Sequence, residues 1–156
     1  MSVDKVRSYL KQWNRDKDIM EFDPSSATVE MAASAVGVEP SRIAKTLSFH
    51  NGEGAMVIVA AGDAKIDNPK FKQEYGFKAR MLSYEEVTQK IGYAPGGVCP
   101  FGLNQGVQVY LDVSMKRFDT VFPACGSSNS AIELSCDELE RYSGCIKWVD
   151  VCKDWM

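Results

Sequence analysis

Thr46-Leu47-Ser48-Phe49-His50-Asn51-Gly52-Glu53-Gly54-Ala55-Met56-Val57-Ile58-Val59-Ala60-Ala61 decides the fold class. Its centre, Asn51-Gly52-Glu53-Gly54, is a hairpin signal, and the flanks Thr46–Asn51 and Ala55–Ala61 read as two strands. Upstream, Pro40 fits the first turn of a short helix that delivers Lys45 to the start of the first strand. Thr28 serves as N-cap of a helix carrying Val29, Ala32, Ala33 and Val36, and Gly37 suits its left-handed end. Asp23-Pro24-Ser25-Ser26 breaks the chain before it. At the N-terminus Val3, Val6, Tyr9, Leu10 and Trp13 recur at helical spacing, which predicts an amphipathic helix from Ser2 to about Arg15.

Downstream the alternation continues. Asn68-Pro69 opens a lysine-bearing helix that ends at Gly76. Ser83 with Glu86 is a capping box for a helix closed by Gly92, and Ser135 with Glu138 is a second, for a helix closed by Gly144. Gly106-Val107 to Leu111, Thr120–Phe122, Ala131–Leu134 and Cys145–Val151 read as strands, with a helical turn between the first two. About seven short strands and five or six helices make an α/β (α+β) domain with irregular crossovers, which excludes a Rossmann fold and a TIM barrel.

The 156 residues fit one domain, 1–156, and a chain of this size buries roughly 70% of its unfolded surface without needing a staple. Apolar residues at 45% and charged residues at 25% exclude a disordered tail, a collagen-like rod and a coiled coil. No apolar run approaches the ~18–20 residues of a membrane span, and Met1–Leu10 lacks a signal-peptide core, so a cytoplasmic protein is expected. Eighteen basic against twenty-one acidic residues, net −3, exclude a strongly basic coat but not a local patch. From Asp63 to Arg80 five basic residues face three acidic ones. The five cysteines are scattered, no Cys or His spacing suits a metal, and His50 is the single histidine. Idle reduced thiols are the expectation.

Phosphate-loop, dinucleotide, nucleophile-elbow and zincin motifs are all missing. Two loops have costly compositions. Gly92-Tyr93-Ala94-Pro95-Gly96-Gly97-Val98-Cys99-Pro100-Phe101-Gly102 holds four glycines and two prolines, which allow close approach to the backbone. Cys125-Gly126-Ser127-Ser128-Asn129-Ser130 offers N–H groups and hydroxyls suited to a carbonyl or ribose oxygen. Lys45 reads equally as a solvated helix-end charge or as a cation reaching toward a phosphate or ester.

Together, Ile43-Ala44-Lys45-Thr46-Leu47, the Gly96-Gly97…Pro100-Phe101-Gly102 loop and Gly126 through Ala131-Ile132-Glu133-Leu134 resemble the YbaK/prolyl-tRNA-synthetase-associated editing-domain family. Order and spacing match over about Thr28 to Gly144. The resemblance implies a curled mixed sheet wrapped by helices, with the pocket between these loops. It implies a free-standing deacylase of mischarged aminoacyl-tRNA, typically tRNA for proline carrying a small wrong amino acid. Aminoacyl-tRNA is then the partner, a prolyl-tRNA synthetase a second one, with no membrane, no DNA, no metal and no cofactor.

An aminoacyl ester is already activated, so the task is to position water and stabilise the oxyanion. The resemblance assigns that task to Lys45, Gly97, Gly102 and Gly126. It assigns substrate contacts to Thr46, Gly96, Pro100, Phe101, Ser127, Ser128 and Asn129, with the terminal ribose hydroxyl helping to activate water. Relatives associated with cysteine removal carry Asp where this chain has Ala131, and relatives associated with alanine removal often carry Asn where it has Thr46. Docking of tRNA is expected on Lys70 and Lys72, with Lys65, Lys78 and Arg80 flanking in loops, or else on Lys5, Arg7 and Lys11. The competing readings are a non-catalytic RNA- or protein-binding module of the same fold and a thiol hydrolase using Cys99 or Cys125.

Overall fold

A computed structural model describes residues 2–22 and 28–155. The first helix, α1 (Ser2–Leu10), buries Val3, Val6 and Leu10. It stops earlier than its periodicity suggests, because Lys11–Trp13 tightens into a 3₁₀ turn and Asn14 closes it at φ 62°. Strand β1 (Met20–Glu21) follows; the Asp23–Ser26 break lies outside the described residues. Thr28 caps α2 (Val29–Val36) by accepting the Met31 N–H, and Gly37 ends it at φ 77°.

A 3₁₀ turn, Pro40–Arg42, then feeds β2 (Ile43–Asn51), which pairs antiparallel with β3 (Gly54–Ala61) through a two-residue turn. Strand β2 starts before Thr46, so Lys45 lies inside the strand rather than at a helix–strand junction. The cause is pairing on both sides: Ala44 meets Ala61 of β3 and also Pro123 of a parallel neighbour. Next come β4 (Lys65–Ile66) and α3 (Asn68–Tyr75), the latter capped by Asp67 and ended by Gly76 at φ 82°. Lys65 therefore stands in a strand and not in a loop. The Ser83–Glu86 capping box opens α4 (Tyr84–Glu86), which widens into a π turn over Val87–Ile91 before Gly92.

The remaining elements are β5 (Gln108–Asp112), β6 (Thr120–Pro123), β7 (Ser130–Ala131), β8 (Leu134–Ser135), α5 (Cys136–Ser143), β9 (Lys147–Val149) and β10 (Cys152–Lys153). Two stretches that read as single strands are each divided. Ser130–Ala131 pairs with β1, while Leu134 pairs with β6. Lys147–Val149 pairs with β5, while Cys152–Lys153 turns away to pair with β4.

The main sheet is mixed and curled, in the order β8-β6-β2-β3-β5-β9. Strand β3 is central, and Met56 to Ala61 are fully buried, so its apolar run has no solvent face. Phe49, Phe71, Phe101, Ile91, Leu111 and Leu139 complete the core on both sides.

Two polar side chains, Asp112 and Ser114, are fully buried in that core. Asp112, fully buried at the end of β5, accepts the Ser114 N–H at 2.9 Å and the Val151 N–H at 2.9 Å. Ser114 in turn accepts the Ala61 N–H at 3.1 Å. A buried acceptor that satisfies two amides ties β3, β5 and the C-terminal segment together. Replacing Asp112 with Ala orphans both N–H groups, each costing about 1–3 kcal/mol. The thermal midpoint should fall by about 4–24 °C, measured by calorimetry; a shift of less than about 2 °C would deny the network this role.

Candidate functional site

The cavity forms where β2 and β6 run parallel for only two residue pairs, Ile43–Phe122 and Ala44–Pro123. Proline has no N–H to extend the ladder, so the strands diverge beyond it. Ile43 and Phe122 form the floor, Val29 and Ala32 of α2 one wall, and the two costly loops the other. The volume is about 170 Å³, near that of an apolar cavity able to hold benzene, ~150 Å³.

Among the sequence-predicted residues, the structure brings Lys45, Thr46, Gly96, Ser127 and Ser128 to this cavity. Gly97 and Gly126 lie directly behind it. A Cβ on Gly97 would stand 2.5 Å from the Gly126 carbonyl oxygen and 2.9 Å from the Ser127 Cα, so the loops meet backbone to backbone. Gly126 adopts φ 93°, a conformation that favours glycine. Asn129 braces the second loop, donating to the Phe22 carbonyl at 2.9 Å and accepting the Ser127 hydroxyl at 2.9 Å.

Pro100, Phe101 and Gly102 do not line the cavity. Phe101 is fully buried in the core, its carbonyl accepting the Tyr93 hydroxyl, and Gly102 lies against Tyr93 and Tyr9. Lys70 and Lys72 also lie elsewhere. Lys70 donates to Asp150 at 3.2 Å and to the Cys152 carbonyl at 3.1 Å, while Lys72 is exposed beside Lys78.

Sequence reasoning gave Val29, Ala32, Ile43 and Phe122 no part in the site. Their apolar spacing reads as ordinary core, and only the divergence of two non-sequential strands turns that core into a wall. The short side chain of Ala32 on α2 was the available signal.

Lys45 is half-buried. Its ammonium donates to the Gly62 carbonyl at 3.4 Å, and desolvation holds its pKa below the usual lysine value. Gly62 is held by close approach, since a Cβ there would lie 2.0 Å from the Pro40 carbonyl oxygen. Among the described residues the buried Thr46 hydroxyl has no hydrogen-bond partner, a costly state unless a ligand satisfies it.

The thiols are poor nucleophiles. Burial pushes Cys99 up to about 11, against weaker opposing contributions from backbone and Tyr93 hydrogen bonds. Cys125 is raised well above the ordinary thiol value by burial. Both stay protonated at neutral pH, and neither lines the cavity. Among the described residues no group of three or more His, Cys, Asp or Glu could hold a metal, and no helix is long and apolar enough to cross a membrane.

Residues 23–142 match the family model of the aminoacyl-tRNA editing domain. The protein YwhH of Bacillus subtilis, which is uncharacterised, is 61% identical over 156 residues, covering 99% of each chain. The proline–tRNA ligase of Bacillus cytotoxicus is 28% identical over 138 residues, 87% of this chain but 24% of that enzyme; the chain thus spans about a quarter of the ligase's length. A crystal structure described as a candidate trans-editing enzyme for prolyl tRNA synthetase superposes with a TM-score of 0.88 at 29% identity, covering 97% of both chains.

Replacing Thr46 with Val keeps the volume and removes the orphan hydroxyl. Stability should rise by about 1 kcal/mol, or about 2–4 °C in thermal midpoint. A destabilised variant would mean that the hydroxyl is satisfied in the free protein.

Proposed function

The chain belongs to the aminoacyl-tRNA editing domain family, and from that premise we propose that it deacylates mischarged aminoacyl-tRNA in trans. The substrate on this reading is tRNA for proline carrying a small wrong amino acid, with a prolyl-tRNA synthetase as the enzyme whose errors it corrects. The observation that carries the proposal is one small cavity with apolar walls and a polar rim of Lys45, Thr46, Gly96, Ser127 and Ser128. The apolar walls suit a small aminoacyl side chain.

Water attacks the ester carbonyl, a tetrahedral oxyanion forms, and the bond to the terminal ribose oxygen breaks to release amino acid and tRNA. The terminal ribose hydroxyl helps activate the water. Backbone N–H groups stabilise the oxyanion best when they are pre-aimed and water is excluded. The Gly97 N–H is spent on the Ala94 carbonyl at 2.8 Å, and Gly126 packs against Gly97 backbone to backbone. Those glycines act by holding the two loops together, and the main chain of the cavity-lining residues Gly96 and Ser127 is left to supply the donors. Lys45 supplies positive charge at the mouth, where it neutralises the terminal phosphate or orients the ester. On the α3 side, docking would fall to Lys72 with Lys78, because Lys70 would have to leave Asp150.

Incubation with a panel of mischarged tRNAs tests the reading. Wild type should release a small amino acid from tRNA for proline, and Lys45→Ala should lose at least ~10²-fold in rate, the scale of lost positioning or charge stabilisation. The double change Cys99→Ser/Cys125→Ser should retain turnover. No cleavage of any ester by wild type would leave a binding module of the same fold, and loss of turnover only in the cysteine variant would leave a thiol enzyme.

The charge on Lys45 also sets a pH limit. A lysine pKa held down by desolvation loses its proton at lower pH than an exposed lysine does. After subtraction of base-catalysed hydrolysis, kcat/KM should fall on the alkaline side below pH ~10.4, the ordinary lysine value. Lys45→Arg, charged throughout, should lack that fall; an identical alkaline limb in both would assign it to another group.

A further inference from the structure

The β4–β10 ribbon places Lys65 directly opposite Lys153. Directly opposed residues in an antiparallel pair have Cβ atoms about 4.5–5.5 Å apart, and like charges there are destabilising. Their strand neighbours turn inward, Ile66 packing on the core and Cys152 fully buried. Both lysines therefore project outward, and both are exposed. Among the described residues neither has an ion-pair partner.

The nearby carboxylates are largely committed. Asp63 holds Arg117 through two bonds of 2.6 and 3.0 Å, Asp150 holds Lys70, and Asp67 caps α3. Asp154, next to Lys153 at φ 66°, sets one negative charge against the two lysines.

The ribbon is continuous with the cavity mouth. Gly62, whose carbonyl accepts the Lys45 ammonium, lies three residues before Lys65 in the chain. The positive charge of Lys65 reaches Lys45 and works against its protonation. A net-acidic protein thus keeps a repulsive pair of lysines, offset only in part by Asp154, in line with Lys45 at the cavity. The fold gains nothing from that pair, whereas a polyanion lying across both strands would remove the repulsion.

We propose that the Lys65–Lys153 pair is a phosphate-binding step on which the sugar–phosphate backbone of the RNA acceptor end rests as its terminal ester enters the cavity beside Lys45. The proposal rests on the editing reading and adds the path by which the RNA approaches. Each lysine neutralises one phosphate and releases its counterions, so the pair contributes to affinity and to its salt dependence. It takes no part in the chemistry.

Binding of uncharged tRNA, measured by fluorescence anisotropy across a salt series, tests the step separately from hydrolysis. Lys65→Ala/Lys153→Ala should weaken binding about tenfold near 0.1 M salt and reduce the salt slope by about one to two. The single reversal Lys65→Glu creates an opposite-charge pair with Lys153, so its thermal midpoint should hold or rise while its tRNA affinity falls. Wild type that fails to bind tRNA, or a double variant with unchanged affinity and slope, would overturn the proposal. So would an affinity loss in Lys65→Glu that follows a loss of thermal stability, because ribbon integrity and not charge would then carry the effect. Lysine-dependent binding by a wild-type protein that cleaves no ester would keep the phosphate step and remove the editing reading; cleavage with lysine-independent binding would do the reverse.

Discussion

At Gly97 and Gly126 two stretches of main chain lie closer than any side chain permits. A Cβ on Gly97 would meet a carbonyl oxygen and a Cα at once, and both belong to backbone that cannot swing aside. The glycine loop and the serine loop come from distant parts of the sequence. Their contact fixes one relative to the other, which brings Gly96 and Ser127 to the same cavity. The Asn129 bonds to Phe22 and Ser127 then lock the second loop against β1. Rigid placement of this kind is what oxyanion stabilisation requires, since donors that must reorganise lose most of their effect.

Much of the fold could be read from local signals. Both capping boxes, the Thr28 cap, the left-handed glycines after α2 and α3 and the two-residue hairpin are short-range devices, and each forms where its residues stand. The misplacements concern strand boundaries. Ile43 and Ala44 look like the end of a helical turn until β6 arrives to pair with them. The segment after Ser130 reads as one strand because nothing local says that Ala131 and Leu134 serve different sheets. Those choices are made by chain that lies far away in sequence.

Site legibility divides in the same way. Lys45, Thr46, Gly96, Ser127 and Ser128 stood out by composition and resemblance, and they share the cavity. Phe101 and Gly102 stood out for the same reasons but belong to the packing around Tyr93 and Tyr9. Residues can keep a motif recognisable by supporting a loop from behind, without meeting the ligand. The apolar walls left no mark, because Val29 and Phe122 have the same side chains as any core residue and acquire a role only through the gap between β2 and β6.

The bonds to Asp112 also bear on the order in which the molecule can be completed. Synthesis runs from the N-terminus, and Val151 lies 39 positions beyond the carboxylate whose oxygen it satisfies. The hairpin of β2 and β3 is local and can close as soon as it is made. Strand β5 can align on β3, yet it then carries a strongly polar carboxyl group into an interior where the local chain supplies the Ser114 amide alone. Until Val151 emerges from the ribosome, that oxygen must stay hydrated. The nascent sheet therefore keeps its β5 edge wet, and the chain seals itself only as its final strands arrive.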